Sequence, residues 1–388
     1  MKRKDTKQTR IAADTPLLFL YFIAACVYIS LALTLNVGEW LLATVSLAFC
    51  LIGTAVLARI AGSFKRVLGY SMIILIFVFF SGSLLPVGLL AAFTCAVCVY
   101  TYLLLRSPSP FLWGIGAVPL VISVLVAKSM LAAILSLAPL PCALLLAYSV
   151  KKGFDRVRSV CYLSFGICLP IVLCFIAAVN SIYGEVSFAV AKSLIDALRE
   201  QIVLTLSAVS DQMTELVDLG SADMSSYIVS AVNAAFNLLP AILITLANLI
   251  AYMIHSAFLS IYCKDEETRR SALPMLAFDM SLTSAIVFIL SLICALALVS
   301  DSTALWRTAA ENMLVILAPG LILTALGALR MVTSIKGPSC LGTLVYLFVI
   351  FMLVSFSLPA ILITATAGAV VIILAHVSKK GKSHNSDD

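Results

Sequence analysis

Residues 67–105 read VLGYSMIILIFVFFSGSLLPVGLLAAFTCAVCVYTYLLL, a run without a single Asp, Glu, Lys or Arg. About 20 apolar residues in helical geometry cross the hydrocarbon core of a bilayer, so this run is too long for one crossing. Ser81-Gly-Ser-Leu-Leu-Pro86 supplies turn residues near its middle. The run therefore divides into two membrane-crossing helices, 67–82 and 84–105, joined as a tight hairpin. Residues 341–375 repeat the pattern, again with no charged side chain and with Ser357-Leu-Pro359 as the turn. Two such hairpins in one chain predict an all-α polytopic membrane bundle.

Composition points the same way. Hydrophobic residues fill 62% of the 388 positions and charged residues 11%, against roughly half and a quarter in soluble domains. With a mean hydropathy of +1.13, the chain has more apolar surface than one water-facing core can bury, and the rest needs lipid as solvent. The eleven cysteines do not read as a disulfide framework. Cys26, Cys50, Cys95, Cys98, Cys142, Cys168, Cys174 and Cys294 all sit in apolar runs, where a thiol acts as a small buried hydrophobe. Cys95 and Cys98 form a C-x-x-C, but with no His, Lys or βαβ context that would suggest redox or metal chemistry. Met1-Lys-Arg-Lys and Ile23-Ala-Ala-Cys26 resemble parts of a signal or lipoprotein leader. The apolar run continues to Leu35, which favours an uncleaved first helix.

Working outward from the hairpins gives about twelve spans: 17–35, 40–60, 67–82, 84–105, 111–127, 129–149, 159–182, 237–262, 275–299, 312–330, 341–357 and 359–377. Arg106-Ser-Pro-Ser-Pro110 separates the fourth from the fifth, because proline ends a helix. With the first segment inside, 21 of the 25 Lys and Arg fall on the cytoplasmic side, and only Lys128, Lys192, Arg199 and Arg307 on the other. Basic residues are retained on the cytoplasmic side, so this asymmetry sets the orientation with both termini cytoplasmic in a bacterial plasma membrane. The chain then divides into a basic cytoplasmic N-terminus (1–16), a first half of six spans (17–158), a second half of six (159–377) and a polar, disordered cytoplasmic tail (378–388).

Residues 183–236 break the pattern. Ala191, Leu194, Ile195, Leu198, Ile202, Leu206, Val209, Met213, Leu216 and Val217 mark one face of an amphipathic helix, whose other face carries Lys192, Asp196, Arg199, Glu200, Asp211 and Glu215. Gly220 ends it, and a second helix is expected over 222–236. Seven acidic residues against two basic ones place this external segment away from anionic lipid. Packing over the mouth of the bundle, as a lid or docking platform, is the expected way to cover its apolar stripe.

No catalytic constellation emerges. The three histidines are His255, His376 and His384, and no H-E-x-x-H, zinc-spaced cysteine pair, Walker glycine loop or G-x-S-x-G occurs. No enzyme activity and no cofactor are expected. Ionisable or polar groups in a span are costly and point to function by default. Lys128, His255, Asp279 and Asn248 are therefore the candidate solute or ion contacts. Each has a plainer reading. Lys128 can snorkel to the outer interface, and Asp279 can cap a helix or sit at the interface. His255, among Asn248, Tyr252 and Ser256, can bond between helices. Ala360, Thr364 and Gly368, like Gly320, Thr324 and Ala328, recur every four residues and mark close helix packing.

The second half carries a recognisable order. An acidic amphipathic stretch precedes Leu238-Leu-Pro-Ala-Ile-Leu-Ile-Thr-Leu-Ala-Asn248, and a charged loop follows it. Trp306 and Glu311-Asn-Met-Leu-Val315 open a span ending in Leu326-Gly327, with Ile335-Lys-Gly-Pro338 just after. Over 159–377 this resembles the YybS-like family of uncharacterised bacterial polytopic membrane proteins, a domain of unknown function. Leu326 stands where that family often has Gln. The resemblance implies a distant similarity to the substrate-binding components of energy-coupling-factor transporters, at the level of fold alone. The chain is thus expected to be transport-associated, binding or moving a small solute; the alternative is a non-enzymatic cell-envelope or sporulation scaffold. Its expected partners are the lipid bilayer and an energising or envelope protein, with no nucleic acid.

Overall fold

The computed structural model describes residues 20–29, 84–106, 134–135, 137–217, 221–262, 280–298, 304–335 and 358–384, with isolated positions at 18, 45, 48, 52–53 and 55–56. Among these the chain is helical apart from short turns and caps, and no strand occurs. The helices are α1 (Leu20–Ile29), α2 (Leu84–Arg106), α3 (Pro139–Lys152), α4 (Arg156–Tyr183), α5 (Phe188–Val217), α6 (Ser221–Tyr262), α7 (Leu282–Ala297), α8 (Ala304–Ile335) and α9 (Leu358–His384).

Four of the described helices are long and apolar enough to cross a membrane: Arg156–Tyr183, Ser226–Leu259, Ala304–Leu329 and Pro359–Ser378. They correspond to the expected spans 159–182, 237–262, 312–330 and 359–377. Leu20–Ile29, Ala92–Leu105 and Leu282–Ala297 are shorter apolar helices. The expected spans 67–82, 111–127 and 341–357 lie outside the described residues, as does most of 40–60. Four crossings are therefore shown by length and composition, and the count of twelve is not.

Several boundaries differ from the sequence reading. The helix expected over 222–236 and the span 237–262 are one helix, Ser221–Tyr262. The change from polar to apolar composition at 236 carries no backbone breaker, so the ladder of hydrogen bonds runs through. Helix α8 begins at Ala304, two turns before the expected 312, and Arg307 bonds Glu311 at 2.9 Å across one of those turns. Glu311 is thus an i,i+4 partner within the helix rather than a first-turn acid. Helix α7 begins later than 275, at Leu282, where the extended Ser281 accepts a hydrogen bond from the Ser284 N–H at 3.2 Å. The tail, expected to be disordered from 378, continues as helix to His384. Lysines favour a helix C-terminus, which suits Lys379, Lys380 and Lys382 there.

The contacts divide the chain into two compact units, 1–181 with 247–273 and 182–246 with 274–388. In the first unit, Phe22 of α1 stacks on Tyr100 of α2 with ring centroids 4.3 Å apart. Cys26, Cys95, Cys98 and Cys142 are buried thiols outside any disulfide, the small apolar role read for them from the sequence, whereas Cys168 and Cys174 are half-buried and Cys294 is exposed. Thr101 donates to the Ala143 carbonyl at 3.3 Å and ties α2 to α3. Helix α4 passes close to α3 at Gly166, where an added Cβ would meet Cys142 Cα at 3.3 Å.

In the second unit, Ala285 and Phe288 of α7, Leu314, Ala318 and Leu321 of α8, and Ala365 and Ala369 of α9 form one core. Gly368 lies against the Leu321 backbone. The close row on α9 is thus Ala365, Gly368 and Ala369, shifted from the expected Ala360-Thr364-Gly368. Thr364 instead turns its hydroxyl back to the Ala360 carbonyl at 2.7 Å.

A proline explains one further bond in this unit. Pro319 lies inside α8 and has no N–H, so the Val315 carbonyl loses its helical donor. Thr245 Oγ1 of α6 donates to that carbonyl at 3.1 Å. Pro240 interrupts α6 as well and frees the Phe236 carbonyl; the bond from Asn312 Nδ2 of α8 to the neighbouring Asn237 carbonyl, 3.0 Å, is a separate tie between the two helices. In lipid, where no water can serve such groups, prolines persist when neighbouring helices supply the missing partner.

Candidate functional site

The turn between α3 and α4 is fixed by its residues. Gly153 closes α3 in the left-handed conformation, φ 65°, and its N–H bonds back to Ser149 and Val150. Glycine takes this conformation without a Cβ clash. Tyr148, Phe154 and Tyr162 gather around the turn with ring centroids 5.4 to 6.3 Å apart. The chain re-enters helix at Arg156, so that side chain stands at the start of a long apolar helix.

Within the same unit, the C-terminal part of α6 carries Asn248, Tyr252, His255 and Ser256. Steps of four and three put them on one face, since a helix turns about 100° per residue. The Arg156 guanidinium lies 5.9 Å from the centre of the Tyr252 ring, within cation–π range, and its charge also acts on His255. His255 is 3% exposed and Ser256 7%. Neither His255 Nδ1 nor Ser256 Oγ has a hydrogen-bond partner among the described residues. Buried polar groups are normally bonded, so two orphans on adjacent residues of a membrane helix stand out.

Of the four residues singled out from the sequence, the structure therefore puts His255 and Asn248 on one polar face. Lys128 and Asp279 lie outside the described residues. Among the described residues, His255 Nδ1 has no partner for the helix–helix bond that was its plainer reading. Arg156 was missed. It read as one more basic residue of a cytoplasmic turn, and no local pattern links position 156 to position 252. The only available signal was its place at the start of an apolar run, where a cation must find a partner or reach the interface.

A concavity of about 400 Å³ lies between α7 and α8 and is lined by Leu290, Ser291, Cys294, Trp306, Ala310 and Met313 among others. Its walls are almost wholly apolar, so it offers an acyl chain or a helix more than it offers a polar solute. Arg199 of α5 rests over the Phe236 ring at 5.4 Å, while Leu198, Ile202 and Leu206 of that helix's expected buried stripe are 41 to 44% exposed. Ala191, Leu194 and Ile195 of the same stripe are half-buried, so the inward face departs from the expected one only from Leu198 onward.

A family model described as "Predicted membrane protein (DUF2232)" matches residues 70–364, well over half of the chain. The YybS-like resemblance fits this family, and the match reaches back into the first half, beyond the 159–377 on which the resemblance rested. No curated protein and no solved structure matches the chain.

Proposed function

Because the chain belongs to this family of predicted membrane proteins, we propose that it is a transport-associated membrane protein that binds or moves a small polar solute at the Arg156–Tyr252–His255 face. The observation that carries the reading is His255. An imidazole 3% exposed in a membrane-crossing helix, with Nδ1 unbonded among the described residues, has little structural reason to be there. A polar ligand would supply the missing partner. The proposal includes about twelve spans, both termini in the cytoplasm, residence in a bacterial plasma membrane, and no catalytic activity of its own. An energising protein partner would drive movement.

Native mass spectrometry of the detergent-purified chain tests this. The wild type should retain a bound small molecule that is absent from His255→Leu. A wild type without any such adduct, or equal occupancy in the variant, would reject the solute site.

The exposed Leu198, Ile202 and Leu206 favour a second reading, an envelope or sporulation scaffold that uses α5 as a docking helix. Under it, a protein partner would co-purify and small-molecule occupancy would not depend on His255.

A further inference from the structure

We propose that the face formed by Arg156, Tyr252, His255 and Ser256 binds an anionic oxygen group, a phosphate or carboxylate, from the cytoplasmic side. This rests on the solute-binding reading of the same site and adds the charge of what is bound.

The donor inventory comes first. A guanidinium offers only N–H donors, and tyrosine and serine hydroxyls can each give one more. His255 can present an N–H at Nδ1, the atom left without a partner among the described residues. Ser256 Oγ, beside it, is also buried and without a partner there. Such a set matches a ligand rich in acceptors, and charge-assisted bonds from arginine to carboxylate or phosphate are the strong form of this contact.

The field has the same sign. Among the described residues of the first unit, Asp155 is the one acidic side chain, and it lies 3.5 Å from Arg158 with both groups exposed. Lys151, Lys152, Arg156 and Arg158 cluster around that single acid. Arg156 also opens a 28-residue helix with no acidic residue in its first turn, so the positive end of the helix dipole adds to the guanidinium.

Depth agrees with an anion held near the interface. Arg156, whose guanidinium lies over the Tyr252 ring, is the first residue of the membrane-crossing helix Arg156–Tyr183 and so stands at the end of its span. Basic pockets at this level between membrane helices take lipid phosphates, and they are equally open to soluble anions from the cytoplasm.

The test uses the full chain in phosphatidylcholine nanodiscs and follows its thermal unfolding midpoint. One arm adds inorganic phosphate or succinate, with chloride matched for ionic strength. The other replaces part of the phosphatidylcholine with phosphatidylglycerol. At least one arm should raise the midpoint by several degrees. Arg156→Gln and, separately, His255→Asn should abolish most of that rise, while Arg158→Gln keeps it. A rise with lipid alone identifies a headgroup, and a rise with soluble anion alone identifies a free solute; either supports the proposal. No rise in any arm overturns it. So does equal loss in Arg156→Gln and Arg158→Gln, the mark of diffuse surface charge. A neutral molecule found co-purifying through His255 would overturn this inference and leave the solute-binding reading standing.

Discussion

Helix α9 approaches α8 most closely where Gly368 meets the backbone of Leu321. A Cβ added at 368 would lie 2.8 Å from the Leu321 carbonyl carbon and 3.3 Å from its Cα, and against its oxygen. Carbon atoms pack best at about 3.5–4.0 Å, so in Gly368→Ala one helix must retreat by about 1 Å. A gap of that size forfeits roughly a quarter to a half of each contact it opens. The contacts at stake are those of Ala365 and Ala369, both with no exposure, and of Leu321. In lipid no hydrophobic force drives the helices back together, so packing itself is the main attraction. Overpacking of this kind costs about 1–3 kcal/mol, and Gly368→Ala should lose that much in a denaturation series in micelles. Gly368→Leu should fail to assemble, whereas Ala367→Val, one residue away on the exposed side, should be neutral. If Gly368→Leu unfolds within about 0.5 kcal/mol of wild type, the range of a surface substitution, the α8–α9 crossing described here is wrong.

The proline argument makes a coupled prediction. Thr245→Val should cost about 0.6–1.7 kcal/mol, the range of hydrogen bonds between membrane helices. In a Pro319→Ala background, where an N–H again reaches the Val315 carbonyl, the same change should cost almost nothing; equal costs in both backgrounds would refute the link. For topology, reporter fusions or cysteine labelling should place 151–158 and 263–270 in the cytoplasm and 211–223 outside. A swap of sides, or the two basic segments on opposite sides, would end the twelve-span scheme.

How far these features were legible depends on whether their cause is local. Helices α4, α8 and α9 were visible because length and unbroken hydropathy suffice for a membrane crossing. The amphipathic period of α5 was visible too, but periodicity states that a helix has an apolar stripe, not what will cover it. Arg199 on Phe236 and the exposed Leu198 show that tertiary contact chose a different face from Leu198 onward. The division at 236 failed because composition changed there while the backbone met no obstacle. At the site, His255 and Asn248 were legible as polar groups in an apolar run. Arg156 was not, since its meeting with Tyr252 spans most of a hundred residues and is decided by how helices pack.

Helix α6 joins these observations. Along its first half α6 is tied to α8 twice: Thr245 takes the Val315 carbonyl that Pro319 frees, and the Asn237 carbonyl is taken by Asn312. Sliding one helix past the other by a turn, about 5.4 Å, would break both bonds at once, so the pair fixes register as well as satisfying the backbone. The second half of α6 is chemically the opposite. Its polar face at His255 and Ser256 is buried and keeps unbonded atoms among the described residues. Among the described residues, buried side-chain atoms without a bond include Arg199 Nε and Asn312 Oδ1, but on α6 His255 Nδ1 and Ser256 Oγ fall on adjacent positions. Lipid cannot meet that hydrogen-bonding capacity; under the proposed solute-binding role a polar molecule would, and Arg156, 5.9 Å from the Tyr252 ring, would place a cation beside it.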